Sequence, residues 1–137
     1  RTFPMKGYIF QIEDATRDNQ HYRRVLFTAK HSQLVLMNLK PGEEIGEEVH
    51  GMDQFIRFEE GEGTVVLDGE KHAVSDGFAV VIPAGTRHNV VNSGKTAALK
   101  LYSLYSPPEH KDGIIHKTKQ EADADHDHHF DGRTSMK

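Results

Sequence analysis

Glycine-containing turns recur through the middle of this chain and constrain its fold more than any other feature. Between Pro41 and Thr96, Gly residues and Asp–Gly pairs interrupt the sequence about every eight to twelve residues. The segments between these turns are short and rich in Val, Ile, Leu and Phe. The pair Asp68–Gly69 is typical of a two-residue hairpin turn, since both residues tolerate a positive φ. This spacing predicts an all-β protein, either a sandwich or a barrel.

Seven segments have the length and composition of strands. They are Gln33–Leu39, Gln54–Phe58, Thr64–Leu67, His72–Val74, Phe78–Ile82, His88–Val91 and Ala97–Leu104. Glu48–His50 is a candidate for a further short strand. Tyr8–Ile12 is predicted to form an additional N-terminal strand, and the polar stretch Asp14–Gln20 is predicted to be a loop.

The chain is expected to form one domain, because its 137 residues suffice for one core and are too few for two ordinary ones. Residues 1–32 are predicted to be an N-terminal arm, residues 33–105 the β-barrel core, and residues 106–137 a C-terminal extension. Thr118 and Glu121 have the spacing of a capping box, which predicts a short helix from Lys119. From Asp123 onward apolar residues almost vanish, so a mobile His- and Asp-rich tail is expected.

Composition excludes several classes of function. The net charge is −4 and Lys and Arg are scattered, so no nucleic-acid partner is expected. There is no Cys, which excludes disulfides, thiolate metal sites and Cys nucleophiles. No stretch approaches the ~20 apolar residues of a membrane span, and the N-terminus lacks an apolar leader, so no membrane partner and a cytoplasmic location are expected. Ten His residues are unusually many for a chain of this size, and His is the commonest metal ligand.

Four polar residues are predicted to point into the barrel. Glu48 and His50 are two positions apart and therefore share one face of an extended segment. Gln54 shares a face with Ile56 in the next strand, and His88 has inward parity in a later one. Such groups on apolar inner faces are costly unless something satisfies them, and a bound cation would do so. Two imidazoles, a carboxylate and an amide oxygen suit Zn, Ni, Fe(II) or Mn more than Mg or Ca.

Two stretches of the sequence resemble the paired motifs of the cupin superfamily. The second motif of that family is matched at every position, by Gly77, Pro83, Gly85, His88 and Asn92. The first motif is matched by Gly42, His50 and Gly61. It departs from the family at Glu48, which stands where a His is usual, and at Gln54, which stands where a Glu is usual. The usual set and this one both carry one negative charge.

The resemblance covers Leu34 to Tyr105 and is closest to small single-domain cupins of the mannose-6-phosphate-isomerase-like kind. It implies a jelly-roll barrel, or double-stranded β-helix, and one divalent metal ion, with Zn first and Ni, Fe or Mn as alternatives. The ligands it implies are Glu48, His50, Gln54 and His88. It further implies a small-molecule ligand and a homodimer. No general base is identified, although Glu48 would be the candidate if it is not a ligand.

Three functions remain open at this point. The first is a metal-dependent enzyme resembling sugar-phosphate isomerases. The second is a non-catalytic cupin that binds or senses a small ligand or metal, and the third is an Fe(II)-dependent oxygenase. The walls of the pocket are predicted to include Met37, Met52, Phe58, Arg87 and Tyr105. His110 and His116 could reach the site if their segment folds over the barrel mouth, and the His-rich tail could itself chelate metal.

Overall fold

In a computed structural model that describes residues 7–136, most of the chain forms two antiparallel β-sheets. In chain order the elements are α1 (Ile12–Asp18), β1 (Arg23–Thr28), β2 (Gln33–Leu39), β3 (Asp53–Glu60), β4 (Glu62–Leu67), β5 (Glu70–Ser75), β6 (Ala79–Ile82), β7 (His88–Val91), β8 (Leu99–Ser106), β9 (Ile115–His116) and α2 (Lys119–Ala124). All seven predicted strands are present, with ends within two residues of those expected. The Glu48–His50 candidate contributes one isolated bridge, between Glu48 and His88. The outer ends of the predicted arm and extension, residues 1–6 and 137, lie outside the described residues.

The larger sheet has six strands in the order β6-β3-β8-β2-β1-β9, and the smaller has three in the order β5-β4-β7. Strands β4 and β5 form the predicted hairpin, in which Asp68 and Gly69 both have positive φ, 49° and 83°. Every pair of neighbouring strands is antiparallel. Local turns and longer crossovers connect these strands into the two sheets. The prediction of an all-β fold is confirmed.

The hydrophobic core lies between the two sheets. The larger sheet contributes inward side chains such as Ile56, Phe58 and Leu101, and the smaller sheet contributes Val65 and Val90. All five are almost completely buried, and along most of β3 and β8 the buried positions alternate with more exposed ones. Burial of this continuous apolar layer holds the sheets together and fixes which residues point inward.

The N-terminal predictions of a strand at Tyr8–Ile12 and a loop at Asp14–Gln20 are wrong, because Ile12–Asp18 forms α1. The side chain of Gln11 caps the helix by accepting a hydrogen bond from the Glu13 N–H at 2.9 Å. A helix this short is marginal alone. Here the fully buried Thr16 and a hydrogen bond from Lys100 to the Arg17 carbonyl anchor it to the larger sheet.

Two strands lie outside the segment expected to form the core. Strand β1 pairs with β2 on one side and with β9 on the other, so it belongs to the larger sheet. Its residues fall in the expected N-terminal arm, and β9 falls in the expected extension. The sequence gives little sign of β1, since it opens with Arg23 and Arg24, yet Arg23 is buried and Arg24 exposed. The alternation becomes visible once pairing with β2 is known.

The C-terminal segment contains the predicted helix, and its remainder lies back on the barrel. Thr118 caps α2 by accepting from the Glu121 N–H at 3.1 Å. The tail stays against the barrel, because it makes backbone hydrogen bonds with the loop after β8. The Lys111 N–H donates to the His128 carbonyl at 2.8 Å, and the Phe130 N–H donates to the Glu109 carbonyl at 2.9 Å. These bonds, rather than apolar burial, position a polar tail. Across residues 7–136, no helix is long and apolar enough to cross a membrane.

Candidate metal centre

Glu48, His50 and His88 bring their potential ligand atoms together at the start of β7. The carboxylate oxygen and the two imidazole nitrogens all lie within 4.8 Å of one another. Glu48 and His50 belong to the loop before β3, and backbone hydrogen bonds hold that loop in place. The Glu48 N–H donates to the His88 carbonyl at 2.8 Å, and the Gly85 N–H donates to the His50 carbonyl at 2.9 Å.

Each imidazole ring presents an unpartnered nitrogen. His50 Nδ1 lies 3.3 Å from the Met52 carbonyl, and His88 Nδ1 lies 2.8 Å from the Thr86 carbonyl. A carbonyl can only accept, so the ring proton is on Nδ1 and the lone pair is on Nε2. Both Nε2 atoms are buried and have no hydrogen-bond partner among the described residues. This is the arrangement of metal-ligating histidines, whose other nitrogen donates to a carbonyl and fixes the ring.

Gln54 offers a fourth donor atom from the first part of β3. Its side chain is 3 % exposed, and its amide nitrogen donates to Ser103 Oγ at 3.1 Å. The amide oxygen Oε1 is thereby turned away from Ser103, and it is buried without a hydrogen-bond partner. Leaving a buried acceptor unsatisfied costs about 1–3 kcal/mol. Like the two imidazole nitrogens, the amide oxygen is therefore a buried polar atom without a hydrogen-bond partner.

The donor set fits a divalent transition metal. Glu48, His50 and His88 supply one carboxylate and two neutral imidazoles, the ligand types that Zn and neighbouring first-row metals take in proteins. A cation there would satisfy both buried Nε2 atoms. Glu48 is exposed, so the triad is open to solvent on that side.

The predicted pocket residues lie in three different environments. Met37 and Phe58 are fully buried in the hydrophobic core, and Met52 packs against that core. Arg87 has a 58 % exposed side chain paired with Glu47 at 3.5 Å. None of these four lines the cavity described below. Met37 and Phe58 are inward positions in strands and meet the opposite sheet, whereas Arg87, chosen because it lies in the loop just before His88, points to solvent.

Tyr105 is the predicted pocket residue that lies beside the triad. Its ring centroid is 6.0 Å from that of His50, and the residue is 5 % exposed. Burial raises the pKa of its phenol above the ordinary value, with Arg23 opposing the shift. Tyr105 is therefore neutral at physiological pH and keeps its proton.

A cavity of about 270 Å³ opens beside Glu48, between the barrel and the C-terminal tail. Its walls combine residues from the barrel side with residues from α2 and the tail. They are Tyr22, Arg23, Ile45, Glu48, Ala122, Asp123, Asp125, His126, His128 and His129. Apart from Glu48, sequence reasoning named none of these for the pocket. The signal it missed was the inward parity of Arg23 next to Val25 in β1.

Histidines from the loop after β8 and from the tail lie close to one another beside this cavity, which His128 lines. His110 Nδ1 lies 3.1 Å from His128 Nδ1, so one of the two nitrogens carries a proton and the other accepts it. His116 Nε2 lies 2.9 Å from Asp125 Oδ2. Burial, with Arg23 next, lowers the pKa of His110 to about 2. The His110 ring lies 5.5 Å from the Tyr105 ring, between centroids, and neither His110 nor His116 belongs to the triad.

Glu109 is a largely buried carboxyl group, next to His110 in the chain, that the sequence did not reveal. Its side chain is 14 % exposed and lies 3.6 Å from His129 Nδ1. Burial raises its pKa, and the charge of His50 opposes this shift while that of Glu48 adds to it. Nothing in its local sequence, which follows two prolines, distinguishes it from a surface acid.

Comparison with known proteins agrees with this geometry. A family model described as the cupin domain matches residues 35–105. The uncharacterized protein YrkC of Bacillus subtilis is 46 % identical over 129 residues, which cover 89 % of this chain and 69 % of that protein. The uncharacterized protein L612 of Acanthamoeba polyphaga mimivirus is 46 % identical over 113 residues, covering 79 % and 70 %. The crystal structure of BH2720 from Bacillus halodurans has a TM-score of 0.85 at 44 % identity, covering 88 % of this chain and 96 % of that one.

Proposed function

The chain belongs to the cupin family, and from this premise we propose that it is a metal-dependent enzyme acting on a small molecule. The observation that carries the proposal is the pair of buried, unpartnered nitrogens, His50 Nε2 and His88 Nε2, in a triad with Glu48 whose ligand atoms lie within 4.8 Å of one another. Two such atoms at one site are costly without a ligand, and the buried, unpartnered Gln54 Oε1 is the proposed fourth donor. The proposed ligand is one divalent ion bound by these four residues.

Zinc is the first choice for this ion, because its usual ligands are nitrogen and oxygen donors of these kinds. Nickel, iron and manganese are the alternatives. When bound, such an ion supplies a Lewis acid that polarises a substrate carbonyl. The His50 and His88 rings are held for this role by their hydrogen bonds to the Met52 and Thr86 carbonyls.

The proposed reaction class is an isomerisation that moves a proton between adjacent carbons, as in the sugar-phosphate isomerases that the motifs resemble. Glu109 is the proposed base. Burial raises its pKa towards the range in which a carboxylate accepts a proton well. Glu109 adjoins His110, whose ring centroid lies 5.5 Å from that of Tyr105. Tyr105 keeps its proton and is available as a hydrogen-bond donor beside His50.

A second candidate function is Fe(II)-dependent oxygen chemistry. Two histidines and one carboxylate within 4.8 Å are the ligand types of non-haem iron oxygenases. Oxygen uptake by the Fe(II)-loaded protein would favour this function. Turnover of a sugar-phosphate panel with Zn or Mn would favour the isomerase. Tight retention of a small molecule without turnover would instead indicate a non-catalytic binding protein.

The first experiment measures metal per chain by mass spectrometry on protein purified without chelating resin. The test variant is His50→Ala/His88→Ala, and the matched control is His126→Ala/His129→Ala in the exposed part of the tail. We expect near one ion per chain in the wild type and the control, and loss of the ion in the test variant. Metal that leaves with the tail histidines and stays in the test variant would refute the four-ligand centre.

The homodimer expected from the family resemblance is also proposed here, with a specific surface. Five apolar side chains stand side by side across the larger sheet, each in register with the next: Val81, Phe55, Leu104, Leu34 and Phe27. The row contains no charge, and Val81 and Leu104 are 66 % and 39 % exposed. A second copy related by a twofold axis through the row would place apolar residues against apolar residues.

A further inference from the structure

Arg23 is a buried cation without a carboxylate partner. It is 7 % exposed, and its Nε is buried with no hydrogen-bond partner. Its Nη1 lies 3.2 Å from His116 Nδ1. Among residues 7–136, no carboxylate oxygen lies within 4.0 Å of its guanidinium. A buried charge is costly unless it is paired, so this guanidinium lacks a counter-ion.

The neighbours of Arg23 hold it in place without neutralising it. Arginine can only donate, so His116 Nδ1 accepts from Arg23 and the ring proton is on Nε2, which donates to Asp125 Oδ2 at 2.9 Å. The acid is thus separated from the guanidinium by a whole imidazole ring. The Tyr22 ring, whose centroid is 5.4 Å from the Arg23 carbon Cζ, adds a further contact. The guanidinium is fixed in orientation, which suits recognition of a planar acidic group.

Arg23 and Glu48 line the same cavity of about 270 Å³. Glu48 belongs to the triad, so one cavity is lined both by a residue of the candidate metal centre and by Arg23. Its volume is just below the ~300–1,000 Å³ of ordinary ligand pockets, which limits it to a small molecule. Asp123 and Asp125, which also line the cavity, disfavour a ligand with many negative charges.

We propose that Arg23 is a substrate-binding residue and that the cavity takes a small organic anion whose single acidic group, a carboxylate or a phosphate, pairs with its guanidinium. The inference rests on the proposed function, since it makes this anion the substrate of the centre at Glu48. Bidentate pairing of guanidinium with either acid is strong and directional. Arg87, the cation among the pocket residues predicted from the sequence, is exposed and already paired with Glu47.

Calorimetric titration of the zinc-loaded full chain tests this assignment. The probes are lactate, which has one carboxylate, and glycerol 3-phosphate, each compared with its neutral counterpart, lactamide or glycerol. The test variant is Arg23→Gln. The matched control is Arg24→Gln, which removes the same charge from the exposed neighbouring position. Arg23→Lys keeps the positive charge but loses the planar guanidinium group. It is included so that the role of Arg23 can still be tested if Arg23→Gln does not fold. Circular dichroism and zinc content are measured for every variant.

We expect at least one anionic probe to bind the wild type and Arg24→Gln, and its neutral counterpart to bind neither. Arg23→Gln should weaken that binding by at least about tenfold, and Arg23→Lys by less. The probe that binds, carboxylate or phosphate, identifies the acidic group. Equal binding to Arg23→Gln and wild type, or no anion binding by the zinc-loaded wild type, would overturn the assignment. Zinc content is read separately, so either result leaves the metal centre standing, whereas loss of zinc from the wild type would refute the centre itself.

Discussion

Glu48 and His88 exchange two backbone hydrogen bonds, from the Glu48 N–H to the His88 carbonyl at 2.8 Å and from the His88 N–H to the Glu48 carbonyl at 2.9 Å. The pairing joins the loop before β3 to the start of β7, two segments far apart in the chain. It places the Glu48 carboxylate within ligand distance of the His88 imidazole. A glutamate at the position where cupins usually have histidine therefore stays in reach of the centre.

Replacing the Glu48 carboxylate should weaken metal binding. Glu48→Gln removes the one negative charge of the donor set, and we expect metal affinity to fall by at least about tenfold. Glu47→Gln is the matched control, since Glu47 is an exposed neighbour paired with Arg87. Competition with a chromogenic chelator measures both affinities. Equal loss in the two variants would mean that general surface charge, and not ligation, holds the ion.

Gln54→Glu should act in opposite directions on the metal-free and metal-loaded protein. A carboxylate at the buried position 54, added to that of Glu48, raises the cost of folding without metal, because a buried charge without a partner is costly and two like charges would share the proposed site. The same carboxylate is a better ligand than an amide, so metal should bind more tightly. Thermal melts with and without zinc should show a lower Tm for the metal-free variant and a larger rise on adding zinc. A rise no larger than that of the wild type would argue against Gln54 as a ligand.

His110 should make the protein sensitive to mild acid. Burial lowers its pKa to about 2 in the folded protein, from about 6.5 when unfolded. Between about pH 2 and pH 6.5, His110 is protonated in the unfolded state but not in the folded state. The free energy of unfolding therefore decreases as the pH falls below 6.5. From pH 7 to 5 the loss from this one group is about 2 kcal/mol.

Urea unfolding at pH 7 and pH 5 measures this dependence. His110→Gln should lose less stability over this interval than the wild type, whereas His72→Gln, at a half-exposed histidine on β5, should behave like the wild type. If the free energy of unfolding of His110→Gln depends on pH as strongly as that of the wild type, groups other than His110 cause the dependence.

Alanine substitutions at Gly61 and Gly69 distinguish the cost of a positive φ from the cost of a steric clash. Both have positive φ, 101° and 83°, but a Cβ at Gly61 would lie 2.4 Å from the Ala98 carbonyl oxygen, while one at Gly69 meets nothing within 4 Å. We expect Gly69→Ala to destabilise the fold by about 1–2 kcal/mol through φ alone. Gly61→Ala should cost about 3 kcal/mol or more, since the backbone must also move. Chemical denaturation compares them, and equal losses would contradict the close approach.

Leu104→Glu should dissociate the proposed dimer. It places a charge in the middle of the apolar row, where two copies would bury it without a partner. Phe78→Glu is the control, because Phe78 is 50 % exposed and lies outside the row. Light scattering after size-exclusion chromatography should give twice the chain mass for the wild type and the control, and one chain mass for Leu104→Glu. A monomeric wild type would refute the dimer.

Local patterns in the sequence predicted much of the fold. Alternating apolar residues and turn glycines located the seven central strands, because side-chain direction and turn conformation depend on near neighbours. The same patterns put Glu48, His50 and His88 together, since the two motifs fall at the ends of strands. They failed at α1, where a polar segment is helical because the sheet beneath it supplies the contacts.

The sequence by itself determined the strand pattern and the histidines of the metal centre. The tertiary structure alone decided what surrounds that centre. Arg23 lines the cavity beside Glu48 because β1 pairs with β2, and Glu109 is held in place because the tail pairs with the loop after β8. Such long-range pairings depend on the balance between chain entropy and contacts made across the whole fold, which no local window of sequence contains.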